Sequence, residues 1–289
     1  PGWVAPECAS GAQSCLRSRC CAGSGLQCYE MGEGAAGCRS VCNPGPDPAN
    51  ATRSWTCRAL GPRTGAASWA SPSLFCFSVM RSTGYELPLM RAQLRRRAGI
   101  FTCDEYGVFN SGGSELVLGT DAFGPVRATH FKPAAVGRSR DGTAGNTQLF
   151  MNVWDAVNEE GRVWNHDWTV KVDPDAIILP ARLRRHLRSY TRSDMYVVNC
   201  NKPHMVPMMF GSLEVFSFKA IQRYFGGVLE CKAELPWQDW GEDYFMGKCL
   251  TFLGTVGFPD FTLIQDGVCK GVSCDDAEAA AFHPFKSIE

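Results

Sequence analysis

The sequence predicts an α/β domain, a mixed sheet flanked by helices, preceded by a small disulfide-rich module. Three observations point there. From Leu74 onward, apolar runs of strand length alternate with segments of helical period. The run Trp168-Thr-Val-Lys-Val172 stops at Asp173-Pro-Asp175, where a proline that cannot continue a ladder ends a buried strand. Eight of the 15 cysteines fall before residue 60.

Composition narrows the function classes. With 29 basic and 29 acidic residues the formal net charge is zero, so no global field favours nucleic acid or an anionic membrane. No apolar run approaches the ~20 residues of a membrane span. The chain opens on Pro1 with no signal peptide, which reads as a mature or trimmed sequence. The cysteine content points to an oxidising compartment, the secretory pathway (Golgi or ER lumen) or the extracellular space. The sequon Asn50-Ala51-Thr52 agrees with a glycoprotein there.

Residues 1–42 hold Cys8, Cys15, Cys20, Cys21, Cys28 and Cys38 in the order C–C–CC–C–C. About 35 residues cannot bury enough apolar surface to fold unaided, so crosslinks must stabilise them. The order resembles the knottin (inhibitor cystine knot) modules, and that resemblance implies Cys8–Cys21, Cys15–Cys28 and Cys20–Cys38. A zinc site is the alternative, disfavoured because no histidine precedes His130. Residues 43–72, rich in Pro, Gly and Ser, read as a linker that a Cys42–Cys57 bridge closes into a loop. Carbohydrate binding, protein binding and a stabilising cap are all open roles for the module.

Residues 73–289 form the large domain. Leu74–Met80 reads as a first buried strand, followed by a helix with Pro88 near its start, Leu87, Met90 and Leu94 on one face, and Gly99 as its stop. Ile100–Asp104 reads as a second strand, giving a right-handed βαβ unit. Ser111–Gly145 reads as irregular loops with a short strand near Leu116–Leu118. Thr147 is expected to cap a helix that carries Phe150, Val153, Trp154 and Val157 and ends at Gly161. Pro180 opens another helix with Leu183 and Leu187 inward. Met195–Val198 and Leu213–Phe216 read as further strands, the latter leading into a helix that Gly226-Gly227 would end. Among the remaining cysteines Cys269 and Cys274 are the expected local pair, Cys76 and Cys103 are read as neighbouring buried thiols, and at least one thiol must stay unpaired.

In open α/β sheets ligands bind outside the carboxyl ends of the strands. Asp173 and Asp175 stand at such an end, and two hard oxygen donors on a rigid turn suit a divalent cation that holds a diphosphate. Arg81 and Asp104, at the ends of the first two expected strands, are candidate nucleotide contacts together with Asp173. Glu242 and Asp243 open a later helix. Adjacent acids there also simply favour the positive end of the helix dipole. Beside a metal-bound diphosphate one of them gains a second use, accepting a proton from an attacking hydroxyl.

Trp240-Gly241-Glu242-Asp243 resembles the Trp-Gly-Gly-Glu-Asp stretch of β-1,4-galactosyltransferases, one glycine short. Glu242-Asp-Tyr-Phe-Met-Gly-Lys-Cys-Leu250 is similar to Glu-Asp-Val-x-x-Gly-x-Cys-Leu of fringe-type β-1,3-glycosyltransferases. Lys171-Val-Asp173-Pro-Asp175 is similar to their Lys-x-Asp-Asp-Asp, with proline for the middle acid. The resemblance spans Ser73 to Lys286. It implies a GT-A (Rossmann-like) fold, Asp243 as catalytic base with Glu242 beside it, and a metal-ligating histidine after the acidic pair, which only His283 fits. It further implies Mn²⁺ or Mg²⁺ on Asp173, Asp175 and His283, a nucleotide-sugar donor (a UDP-sugar), and a glycan or glycoprotein acceptor. Trp237 and Trp240 are read either as acceptor-stacking or as packing groups. The rival functions are a non-catalytic secreted carbohydrate-binding or surface-matrix protein and a metal-dependent nucleotidyltransferase.

Overall fold

The computed structural model describes residues 8–288 apart from 11–12, 23–25, 33, 40–41, 43, 48–49, 62–71, 113–115, 122–123, 141, 192 and 204. The chain divides into two units, Pro1–Trp69 with Val157–Asn165, and Ala70–Ala156 with His166–Glu289.

In the first unit β1 (Gln27–Met31), β2 (Ala36–Arg39), β3 (Gly45–Asp47) and β4 (Asn50–Ala59) form an antiparallel sheet in the order β2-β1-β4-β3. Residues 43–72, expected as linker, therefore contain β3 and β4; residues 62–71 lie outside the described residues. Cys42–Cys57 forms as expected. Of the pairings that the knottin resemblance implies, Cys15–Cys28 is present, whereas the other two are exchanged to Cys8–Cys20 and Cys21–Cys38. Consecutive side chains of an extended backbone point to opposite sides. Cys21 turns into the small interior of Ala9, Cys15, Cys28 and Ala36 and meets Cys38 there. Cys20 turns outward to Cys8, whose neighbour Ala9 holds the 20–22 backbone by two hydrogen bonds. Asn50 is exposed, and its Oδ1 accepts from N and Oγ1 of Thr52 at 3.1 and 2.7 Å.

The second unit has the expected α/β architecture. In chain order it runs β5 (Leu74–Val79), α1 (Glu86–Arg96), β6 (Glu105–Asn110), β7 (Leu116–Asp121), β8 (Gly124–His130), β9 (Gly137–Arg138), β10 (Ala144–Gly145) and α2 (Thr147–Glu160). There follow β11 (Trp168–Val172), β12 (Ile177–Ile178), α3 (Pro180–Leu187), β13 (Met195–Val198), β14 (Leu213–Ser217), α4 (Phe218–Glu234), α5 (Glu242–Phe252), β15 (Val256–Pro259), β16 (Ile264–Asp266) and β17 (Ala281–His283). Eight strands make one mixed sheet, β15-β13-β14-β11-β5-β6-β8-β7. β11 lies at its centre, parallel to β5 and antiparallel to β14.

Alternation along the strands builds two cores. Leu74, Cys76, Trp168, Val170 and Val172 pack with Met90 and Leu94 of α1 and Leu183 and Leu187 of α3. On the other face Phe77 and Phe216 meet Trp154 of α2 edge-on at 5.0 and 5.5 Å. Burying one such side chain stabilises by about 1.5–3 kcal/mol, and every residue of β11 and β14 is buried.

Several local expectations are corrected. Ile100–Asp104 is not a strand: Gly99–Thr102 is one 3₁₀ turn and β6 begins at Glu105. Gly99 stands at φ 62°, where L side chains are strained, and the Cys76–Cys103 bridge ties the turn to β5. Ser111–Gly145 contains the β7–β8 hairpin, whose half-buried alternation is diluted by Gly119 and Gly124. Thr147 lies inside α2, its Oγ1 donating to Trp240 O at 2.8 Å. Gly226-Gly227 does not end α4, which runs on to Glu234. A Cβ on Gly227 would lie 2.4 Å from Leu253 Cδ2, so the glycine serves close packing where Leu253, just past α5, meets α4. Cys269 pairs with Cys200 and not Cys274, Cys231 pairs with Cys249, and Cys274 is the free thiol.

Gln93 of α1, held next to Gly99, donates from Nε2 to Pro174 O at 2.9 Å in the interior. A Cβ on Gly99 would lie 2.1 Å from Gln93 Oε1. Gly99→Ala is therefore expected to combine left-handed strain with loss of that bond, roughly 2 kcal/mol. Thermal unfolding should show a melting temperature lower by about 4–8 °C.

Candidate active site

A three-stranded sheet, β12-β17-β16, assembles the acidic edge. β12 follows directly on the Asp173-Pro-Asp175 turn, and Ile177 pairs with Phe282 of β17. β16 runs parallel to β17 with Asp266 opposite His283. These registers carry His283 back to the turn, where Phe285 N donates to Asp175 O at 2.8 Å. His283 Nε2 lies 3.5 Å from Asp175 Oδ1, and Nδ1 lies 2.7 Å from Asp266 Oδ2. Asp266 also accepts from Ser212 Oγ and Val268 N, both at 2.7 Å.

Asp173, Asp175 and His283 are placed to hold one cation. Metal–ligand bonds of about 2.0–2.6 Å put donors of one ion up to roughly 5 Å apart. The donor atoms of this triad all lie within 4.8 Å of one another. Two carboxylates and one imidazole make a donor set that suits a divalent cation. Asp266 supplies the outer carboxylate that fixes the imidazole, leaving Nε2 directed at Asp175. Burial would lower the His283 pKa, but Asp175 and Asp266 outweigh it and raise the ring to about 9. Without a cation the ring is thus an imidazolium between two carboxylates. Nε2 is the ring atom that would meet a cation, and its proton would be given up on binding.

Lys171 joins this turn to the other acidic pair. In register it stands opposite Glu214 of β14, on the face away from Val170 and Val172. Its Nζ meets Asp173 Oδ1 at 2.9 Å, Glu214 Oε1 at 3.0 Å, and Glu242 Oε1 and Gly211 O at 2.6 Å. The Gly211 N–H donates to Asp243 Oδ2 at 3.0 Å, and Tyr244 N donates to Oδ1 at 2.7 Å. Asn146 Oδ1 accepts from Glu242 N at 3.0 Å, closing the start of α5. Burial would lower the Lys171 pKa, yet the three carboxylates raise it well above the lysine range. Burial pushes Asp243 up, partly offset by Lys171. Glu242 is buried, whereas Asp243 is half-buried at the surface of the site.

The nucleotide contacts divide. Arg81 does lie past the carboxyl end of β5, bound to Glu86 at 2.6 Å. Its guanidinium stacks 5.8 Å from the Tyr85 ring centre, and Lys286 Nζ lies 5.7 Å from the same centre. Tyr85 donates to Asp175 Oδ2 at 3.2 Å, so two cations flank a ring that touches the metal turn. Asp104 is at the wrong edge. It precedes β6 instead of ending a strand, and it accepts from Leu74 N and Arg184 Nη2, both at 2.7 Å. Trp237 is a packing residue, its Nε1 donating to Lys232 O and its ring near Phe245. Trp240 stands edge-on to Tyr244 at 4.9 Å.

Sequence reasoning missed Tyr85, Gly211, Ser212, Glu214, Asp266 and Lys286. Two signals were present. Asp266 ends an apolar run just as Asp173 does, and Glu214 interrupts a buried strand just as Lys171 does, so each buried charge announces a partner.

No protein-family model matches the chain, and no curated protein matches it. Solved structures that resemble it include a glycosyltransferase involved in glycosylation of the major capsid of PBCV-1, at 10% identity and TM-score 0.43, covering 73% of this chain and 92% of that one. The galactosyltransferase LgtC, in complex with donor and acceptor sugar analogs, matches at 10% identity and TM-score 0.44, covering 73% and 86%. An active-site mutant of LgtC matches at 11% and 0.45 with the same coverage. Activity has to be read from the site itself.

The metal reading sets two expectations for calorimetric titration with Mn²⁺. Asp175→Ala should abolish binding without changing the circular dichroism spectrum. Asp266→Asn, which keeps all three candidate ligands but weakens the carboxylate support of the imidazole, should weaken binding by about 10–100-fold. Unaltered affinity in both variants would leave the triad as an ion pair and nothing more.

Proposed function

We propose that the chain is a metal-dependent glycosyltransferase that moves a sugar from a nucleotide-sugar, a UDP-sugar, to a hydroxyl of a glycan or glycoprotein, with inversion. The supporting observation is the pairing, across Lys171 and Gly211, of a cation-binding triad with a separate half-buried carboxylate. A cation on Asp173, Asp175 and His283 supplies charge neutralisation for a departing diphosphate. Arg81 and Lys286, both against the Tyr85 ring, add positive charge along the same edge.

Asp243 is the base. It takes the proton of the acceptor hydroxyl as that oxygen bonds to the anomeric carbon, while the carbon–oxygen bond to the diphosphate breaks and its electron pair leaves with the phosphate. Its carboxylate is held by two backbone N–H groups and, among the described residues, is not consumed by an ion pair. Glu242 is turned inward onto Lys171 and serves the geometry. Seven disulfides support a secretory or extracellular site of action, where the exposed Asn50 is an acceptor for a glycan.

Asp243→Asn keeps shape and the helix start but cannot accept a proton. It should lower kcat by 10²–10⁴, about 3–5 kcal/mol, and leave donor affinity within a few-fold. Glu242→Gln should cost less. A base must be ionised, so the wild-type rate should fall as pH drops through the Asp243 pKa, which lies above the ordinary aspartate value of 3.8, and Asp243→Asn should lose that limb. Near-normal turnover in both variants would end the inverting mechanism.

A further inference from the structure

Under Asp243 lies a group of buried charges that the proposed chemistry does not use. Four oxygens surround Lys171 Nζ within 3.0 Å, from Gly211, Glu242, Asp173 and Glu214. An ammonium has three protons to donate. One acceptor must go without. Among the described residues, Glu214 Oε2 and Glu242 Oε2 are buried with no hydrogen-bond donor, and Glu214 Oε1 has only the contested Lys171 ammonium at 3.0 Å. An ionised carboxylate in that state costs several kcal/mol. One proton held on either carboxyl and donated to the other would satisfy two of the three oxygens and remove one negative charge.

We propose that Glu214 and Glu242 share a single proton, and that Glu214 is thereby a positioning residue: it fixes Glu242 and Lys171, and leaves Asp243 as the ionised carboxylate of α5 open to the acceptor. The surroundings agree. From β11 the pair faces Lys171 and, beyond it, Asp173. From α5 it faces Asp243. From α4 comes the buried phenol of Tyr224, kept neutral by burial first and then by the nearby acids. From α2 the Phe150 ring lies 4.8 Å from Lys171 Nζ and adds no charge. Burial is the largest influence on both glutamates and pushes both upward, and both carboxylates meet the same Lys171 Nζ, at 3.0 and 2.6 Å.

Only the kinetic half of the test rests on the glycosyltransferase reading. Infrared difference spectra of the full chain at pH 7, in H₂O and D₂O, should show a deuterium-sensitive carbonyl band of a protonated carboxyl group that vanishes in Glu214→Gln. Absence of such a band from the wild type overturns the proposal, as does its survival in the variant. In turnover assays Glu214→Gln should stay within about threefold of wild-type kcat, because its amide N–H donates where the proton was. Glu214→Leu should lower kcat by about 10–100-fold, the value of a charge-assisted hydrogen bond, with a smaller change in donor KM. A glutamine variant as impaired as the leucine one overturns the shared proton, since it would mean that an ionised Glu214 is needed. Should the leucine variant not fold, the spectra of wild type and Glu214→Gln decide alone. A band without transfer of any sugar leaves the acid pair standing and removes the enzyme reading instead.

Discussion

The site depends on one buried ammonium. Lys171 sits in the middle of the central strand with its charge 2% exposed, and each neighbouring segment that bears an acid is oriented by it. Removing one partner of such a buried group typically costs 3–5 kcal/mol, because the others are left uncompensated. The link to Asp243 runs through a single residue. Gly211 accepts from Lys171 with its carbonyl and donates to Asp243 with its N–H. A Cβ at Gly211 would lie 3.3 Å from Asp243 Oδ2 and 3.4 Å from Glu242 Oε1, so a bare backbone is what allows both acids to approach.

Around that centre Asp173, Asp175 and His283, which could hold a cation, are set by backbone pairing more than by side-chain packing. The Asp173-Pro-Asp175 turn is held at Asp173 N by Ser212 O, at Pro174 O by Gln93 and at Asp175 O by Phe285 N. Each bond comes from a different element. Ser212 acts twice, since its hydroxyl holds Asp266, which in turn holds His283. Donors fixed in this way lose little freedom on binding an ion, which is the condition for pre-organised ligation.

How much of this was legible follows from what burial can and cannot write into a sequence. The central strand was readable because an apolar run that tolerates one lysine and then meets proline fits a buried strand and little else. The acids at its end and at the start of α5 were readable for the same positional reason. Asp104 was misplaced by a strand boundary shifted five residues, which moved it from the carboxyl edge to the amino edge. The β7–β8 hairpin was missed because only one face is buried and glycines blur its period. The adjacent Cys20 and Cys21 could not be told apart, since which of two neighbours faces inward depends on a backbone direction that local composition does not encode. Glu214 acts on Lys171 across 43 residues and Asp266 on Ser212 across 54, and only folding reveals such partners.

The disulfides of the larger unit are distributed with the site. Cys231–Cys249 fastens α5, which begins with Glu242 and Asp243, to α4. Cys200–Cys269 fastens the segment leading to Gly211 and Ser212 to the turn that follows Asp266. Cys76–Cys103 fastens the turn beside Gly99 and Gln93 to β5. The strands β5, β11 and β14 carry the apolar core, with Lys171 and Glu214 as buried charges within it. The segments that the bridges hold include those that bring the acids of the site together, and the charged groups themselves gain little from the hydrophobic effect. A covalent restraint, by narrowing the states open to the unfolded chain, supplies what burial cannot at the places where the chemistry requires polar groups to be held still. The cysteines and the acids are thus two parts of one solution, and the bridges serve the geometry of the site as well as the stability of the small amino-terminal unit.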